Sequence, residues 1–202
     1  MPRICFINKL DRIGASFEKS FQSIRDRLSP NAVALTYPIG EESAHSGVID
    51  LLHKKAFYFE GTHGEQVQEK EIPEHLVVLA DEWRNRLIEK IAETDEALIE
   101  KYVSGKEISI KELKEALRKA CLSVSLIPVL CGSALKNKGV QLVLDAVIDY
   151  LPGPLDLPPV EGINPKTQEK ITREASDSAP FSALAFKLQT DPYVGQLAYF
   201  RV

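Results

Sequence analysis

The tetrapeptide Asn8-Lys9-Leu10-Asp11 places a carboxamide, an ammonium and a carboxylate within four residues, directly after the apolar run at 3–7. The Asp11 carboxylate has two acceptor oxygens that can take a ring N–H and an exocyclic amine as a fork. Guanine offers those two donors side by side and adenine does not, so such a loop can tell the purines apart. The Asn8 amide can bridge a ring nitrogen and nearby backbone, and the Lys9 stem can lie along the purine face. A second polar loop, GSALKNKG, begins at Gly132 after the apolar run at 126–131. Backbone N–H groups near Ser133 and Ala134 can donate to the guanine carbonyl. Taken alone, the first tetrapeptide also fits an Asx-rich loop that caps the next helix, and Ser133 alone fits ordinary loop hydrogen bonding. The pairing of the two loops, each after a buried run, is what makes the pattern specific.

Other chemistry is sparse. No G-x-x-x-x-G-K-[ST] loop is present to cradle phosphates. The run Asp11 to Gly14, D-R-I-G, matches the D-x-x-G pattern of a phosphate-sensing switch, but it overlaps the base loop instead of preceding it by a strand and a helix, so it is read as coincidence. His45, His53, His63 and His75 lack metal-ligand spacing and read as loop and surface residues, and no metal site is expected. The three cysteines, Cys5, Cys121 and Cys131, are odd in number and unpaired in spacing, which suits reduced, buried thiols.

The elements that position these loops follow from periodicity. In an α/β sheet, ligands bind at the carboxyl ends of the strands, so two strands ending at Asn8 and Gly132 put both loops on one rim. Phe17, Phe21, Ile24 and Leu28 recur at helical spacing, and Pro30 closes that helix. Runs at 32–37, 48–52 and 56–59 read as strands of a small sheet separated by turn-rich stretches. From Pro73 a helix carries Leu76, Ala80, Trp83, Leu87 and Ile91 on one face, with a break near Thr94. Trp83 therefore reads as core of this inserted region. Ser109 and Glu112 signal a capping box, and Val140, Val143, Leu144, Val147 and Leu151 stripe a last helix. Five prolines between Leu151 and Lys170 mark an extended linker. The final stretch reads as two strands joined at DPYVG.

The composition, 44% hydrophobic over 202 residues, is enough for an ordinary core. No apolar run reaches the roughly 20 residues of a membrane helix, and no signal-peptide layout is visible, so a soluble cytoplasmic protein with no membrane association is expected. The net charge of −4 is uneven: residues 65–100 hold eleven acids and four bases. That region is either a solvated helix face or a docking face for a basic partner.

CFINKLDRIGA, GSALKNKGVQLVLDAVIDYLPGP and PFSALAFKLQTDPYVGQLAYFRV look like consecutive signatures of the elongation factor G family, and together they span the chain. The resemblance implies an α/β fold: the C-terminal half of a P-loop-type GTPase domain with a large α+β insert subdomain, followed by the first strands of a β-barrel domain. It divides the chain into GTPase segments at 1–28 and 125–154, an insert at 29–124, a linker at 155–179 and the start of the barrel at 180–202. The Asp11–Ser133 interval agrees, because a βαβ unit needs only about 30 residues. The resemblance further implies that Asn8, Lys9, Asp11, Ser133, Ala134 and Leu135 contact GTP or GDP, with magnesium held by residues absent from this chain. The complete protein would be a monomeric GTPase driving ribosomal translocation, its insert meeting the stalk protein of the large subunit, and the fragment alone is expected to be inactive. The competing reading is an independent module whose acidic insert docks on that stalk with no nucleotide function.

Overall fold

The apolar run before the first loop forms β1 (Cys5–Ile7), which leads into α1 (Phe17–Arg27). There follow β2 (Ala32–Ala34), β3 (Thr36–Ile39), β4 (Gly47–Asp50), β5 (Lys55–Glu60), β6 (Gln66–Lys70), α2 (Glu74–Ala92), α3 (Glu96–Val103), α4 (Ile110–Leu122), β7 (Ile127–Cys131) and α5 (Val140–Tyr150). The computed structural model describes residues 1–202, in two units: residues 1–151 and residues 152–202.

In the first unit, β1, β7 and β2 make a parallel sheet with β7 in the middle, Ile7 lying opposite Cys131 and Ala32 opposite Ile127. Every residue of β7 is buried, as a strand covered on both faces requires. An antiparallel sheet, β3-β4-β5-β6, lies beside it. Here the run at 32–37 departs from expectation: it serves both sheets. Leu35 N–H donates to Val129 O at 2.8 Å while Leu35 O accepts from Leu51 N–H at 3.0 Å, so the chain changes sheet at that residue. Thr36 Oγ1, accepting from Cys131 N–H at 2.9 Å, holds the junction. The boundary expected at residue 29 thus precedes a strand of the parallel sheet. All residues from Ala32 to Ile39 are buried, so no alternation of polar and apolar positions marks the switch.

Three of the helices, α1, α3 and α4, start where a side chain satisfies free N–H groups. Asp95 Oδ1 accepts from Ala97 N–H at 3.0 Å at the start of α3. Ser109 and Glu112 form the expected reciprocal capping box on α4. Lys101 and Ser109 together draw the Glu112 carboxyl down to about 2. Trp83 is core, and its packing reaches beyond its own helix stripe. Its ring meets Phe17 at 5.4 Å, Phe21 at 5.2 Å and Tyr37 at 5.5 Å, so α2 is fastened to α1 and β3 by one aromatic cluster. His45 also corrects the surface reading of the histidines, being only 3% exposed. All three thiols are free and burial raises each of them, Cys131 to about 12, which leaves them unreactive.

In the second unit, the stretch expected to be a linker contains a short hairpin, β8 (Val160–Ile163) with β9 (Lys170–Arg173). Pro158 and Pro159 precede the ladder and remove no donor from it. Asn164 N–H donates to Glu169 O at 2.9 Å and Asn164 Oδ1 accepts from Lys166 N–H at 3.0 Å, closing the turn. β10 (Leu184–Asp191) and β11 (Gly195–Arg201) form the expected second hairpin. No helix is long and apolar enough to cross a membrane.

Candidate functional site

The carboxyl ends of β1 and β7 are neighbours in the parallel sheet, and the two polar loops leave from them side by side. Backbone bonds fix their spacing: Gly132 N–H donates to Ile7 O at 3.0 Å, and Leu10 N–H donates to Gly132 O at 3.2 Å. The second loop doubles back on itself through Ser133 and Lys138, which exchange backbone bonds of 3.0 and 2.9 Å. Position 132 admits only glycine, because a Cβ there would fall 2.1 Å from Lys138 O.

Asn8 is the hinge between the loops. Its Oδ1 accepts from Lys9 N–H at 2.7 Å and from Ala134 N–H at 2.9 Å. Two donors facing one atom identify it as the oxygen, which leaves Nδ2 as a donor toward solvent. Lys9 is exposed and has a left-handed backbone, φ 65°. Such strain costs about 1–3 kcal/mol and clusters at ligand clamps.

Asp11 is held below the ordinary carboxylate range, first by the Ser133 hydroxyl and also by the Arg12 and Lys136 charges. Ser133 is buried, and although its hydroxyl faces Asp11 it completes no hydrogen bond of ordinary geometry. Ser16, not Asp11, caps α1, accepting from Lys19 N–H at 3.5 Å. The helix-capping reading of Asp11 therefore loses its basis. What results is an ionised two-oxygen acceptor beside a carboxamide donor, on one rim.

The backbone donors differ from expectation. Ser133 N–H is spent on Lys138 O and Ala134 N–H on Asn8 Oδ1. The next N–H along, that of Leu135, donates to no protein acceptor, and its side chain is 76% exposed. Among Ser133, Ala134 and Leu135, only Leu135 thus keeps its amide available to a carbonyl.

Residues that the sequence did not single out complete the arrangement. Glu41 and Glu42, from the β3–β4 turn, reach the first loop: Glu42 Oε1 accepts from Gly14 N–H at 2.7 Å, and Glu41 Oε1 accepts from Phe17 N–H at 2.6 Å. Lys138 Nζ donates to His45 O at 2.6 Å, tying the same turn to the second loop. At separations of 24 to 93 residues no local pattern announces these contacts. A hollow of about 780 Å³ between the antiparallel sheet and α5 lies away from both loops. Beside the first loop a shallower cleft of about 300 Å³ is lined by Lys9, Arg12 and Lys19.

A crystal structure from Thermus thermophilus is similar over 100% of this chain, with a TM-score of 0.78 and 28% sequence identity. This chain spans 27% of the length of that one. Residues 1–153 match the family described as the elongation factor Tu GTP binding domain. That match takes in β1, β7 and both loops, and the chain belongs to the elongation factor Tu GTP binding domain family.

Proposed function

We propose that the loops at 8–11 and 133–135 read the guanine base of GTP or GDP, as part of a ribosomal translocation factor of the elongation factor G type. The observation that carries this reading is the Asn8 amide, whose oxygen joins the two loops while its nitrogen stays free to meet a purine ring nitrogen. Asp11 accepts from the ring N–H and exocyclic amine, Leu135 N–H donates to the carbonyl, the Lys9 stem covers one face, and the Ser133 hydroxyl lies toward Asp11. Neither loop offers a phosphate cradle or a magnesium ligand. Hydrolysis, with the metal and the attacking water, is assigned to other parts of a longer cytoplasmic GTPase that acts as a monomer.

In the same reading, β1, β2, β7, α1 and α5 belong to the GTPase domain and the insert runs from Thr36 to about residue 124. The β10–β11 hairpin opens a barrel domain. The exposed acids Glu89, Glu93 and Glu96 on the insert serve a basic face of the ribosomal stalk. Reversing all three to lysine should slow association with stalk protein and flatten its salt dependence; an unchanged rate would leave a merely solvated face.

The base assignment is tested on this chain by following amide shifts while adding GDP or ADP. Perturbation of Lys9, Asp11 and Leu135 by GDP at concentrations on the order of millimolar, and not by ADP, is expected. A micromolar dissociation constant would contradict the division of labour, since about −8 kcal/mol is too much for base contacts alone.

A further inference from the structure

The β3–β4 turn is short, polar and far from the loops in sequence, yet it bonds to both. It begins at Gly40, whose backbone (φ 75°) and whose closeness to Ala44 O, 2.2 Å from where a Cβ would sit, exclude any other residue. Glu42 has a left-handed backbone, φ 56°, that costs a non-glycine residue about 1–3 kcal/mol. That conformation aims both polar ends of Glu42 at the first loop. Its N–H donates to Leu10 O at 2.7 Å and its Oε1 accepts from Gly14 N–H at 2.7 Å, so the two bonds bracket Asp11. Glu41 Oε1, on Phe17 N–H, holds the first turn of α1. His45, buried in the same turn, closes it by bonding Gly40 O through Nδ1 at 3.1 Å, and its carbonyl accepts from Lys138 of the second loop.

From these contacts we infer that the turn from Gly40 to His45 is a clamp that presets the base-reading loops, with Glu42 as its positioning residue. Glu42 touches no base; it fixes the backbone on either side of Asp11, so that the carboxylate is already aimed when a base arrives. Preorganisation of this kind raises affinity by removing the cost of ordering the loop on binding. The clamp also makes base affinity depend on the antiparallel sheet, because β3 and β4 hold the turn's two ends. This inference rests on the base-reading role proposed above, and the two can fail separately.

The test uses the 202-residue chain, with amide hydrogen exchange and GDP and ADP titrations on the wild type, Glu42→Gln, Glu42→Asn and Lys138→Met. Asparagine tolerates the left-handed backbone but is too short to reach Gly14, whereas glutamine keeps an acceptor oxygen at full length. Glu42→Asn should speed exchange at Leu10 and Ala134, neither of whose N–H groups bonds Glu42, by about tenfold, the scale of one lost charge-assisted bond. GDP should weaken by a similar factor, with the GDP-to-ADP preference shrinking, and Glu42→Gln should recover most of both. Unchanged exchange at Ala134 with faster exchange confined to Gly14 would reduce Glu42 to a local cap and overturn the clamp. A wild type that does not prefer GDP would overturn the base-reading role, while the exchange comparison would still decide the clamp. If Glu42→Asn fails to fold, Lys138→Met cuts the clamp at the second loop, and unchanged exchange at Leu10 there would overturn it.

Discussion

β7 and β10 are both apolar-rich strands, and they end in opposite surroundings. Each residue of β7 is buried between helices and flanking strands, whereas Leu184, Phe186 and Leu188 of β10 are 69%, 60% and 79% exposed. A strand-forming run says that a segment will extend; it does not say what will cover it. The first unit has helices on its sheets, side-chain caps on three of them and an aromatic cluster joining α1, α2 and β3. The second has two hairpins whose pairing is local. The proposed binding site sits on the first, and aiming a carboxylate requires a backbone that packing has already fixed.

The largest expected effect separates the two units directly. Phe17 is fully buried against Trp83, Tyr37 and Phe21. Phe17→Ala should therefore cost the first unit about 3–5 kcal/mol in denaturant unfolding followed by fluorescence of Trp83, the single tryptophan. Leu188→Ala should move that transition by less than about 0.5 kcal/mol. Equal costs would erase the distinction between the units.

A smaller effect tests local against tertiary support. Ser109→Ala removes one half of the capping box and should lower the Trp83 transition by about 1 kcal/mol. Asp191 Oδ1 accepts from Tyr193 and Val194 N–H at 2.8 and 2.9 Å. Asp191→Ala should loosen the β10–β11 turn, seen as faster amide exchange at Tyr193 and Val194, and leave the Trp83 transition in place.

The smallest effect is in pH. All four histidines lie in the first unit, so only its stability should vary between about pH 5 and 8. The signs oppose. His53 is raised above 6.5, chiefly by its bond to Asp50, so its contribution is full below 6.5 and is lost as pH rises through the raised value. His45 is lowered, chiefly by burial, so its contribution is present above 6.5 and is lost as pH falls toward the lowered value. Titration by NMR should place the two on either side of 6.5, and coincident midpoints would refute the opposition.

Much of the first unit is legible in the sequence, because its helices combine 3.6-residue periodicity with caps such as Ser109–Glu112, and its two loops follow uninterrupted apolar runs. The sheet change at Leu35 is not legible, since eight consecutive buried residues carry no period. Trp83 could be read as core from its own helix stripe, but its partners Phe17 and Phe21 lie more than sixty residues upstream in the chain. Five prolines hid the β8–β9 hairpin, although Asn164-Pro165 is a turn signal that could have shown it. Within the candidate site, Asn8, Lys9 and Asp11 are visible as a motif. That Leu135 rather than Ala134 has the free N–H depends on a side-chain bond spanning 126 residues, and Glu42 depends on a backbone conformation that its residue type disfavours.

The proposed function stands or falls on Asp11 as the reader of the base. In the Asp11→Asn variant, an amide donor faces the exocyclic amine of guanine, and two donors meet with no acceptor between them. Xanthine carries a carbonyl at that position, which the new amide can satisfy. GDP and XDP affinities of wild type and Asp11→Asn, measured by amide shifts on folded protein, should show GDP weakened at least about tenfold, the cost of one unsatisfied buried group, and XDP bound more tightly than by the wild type. A preserved GDP-to-XDP ratio, with or without lost stability, would contradict the guanine-reading role.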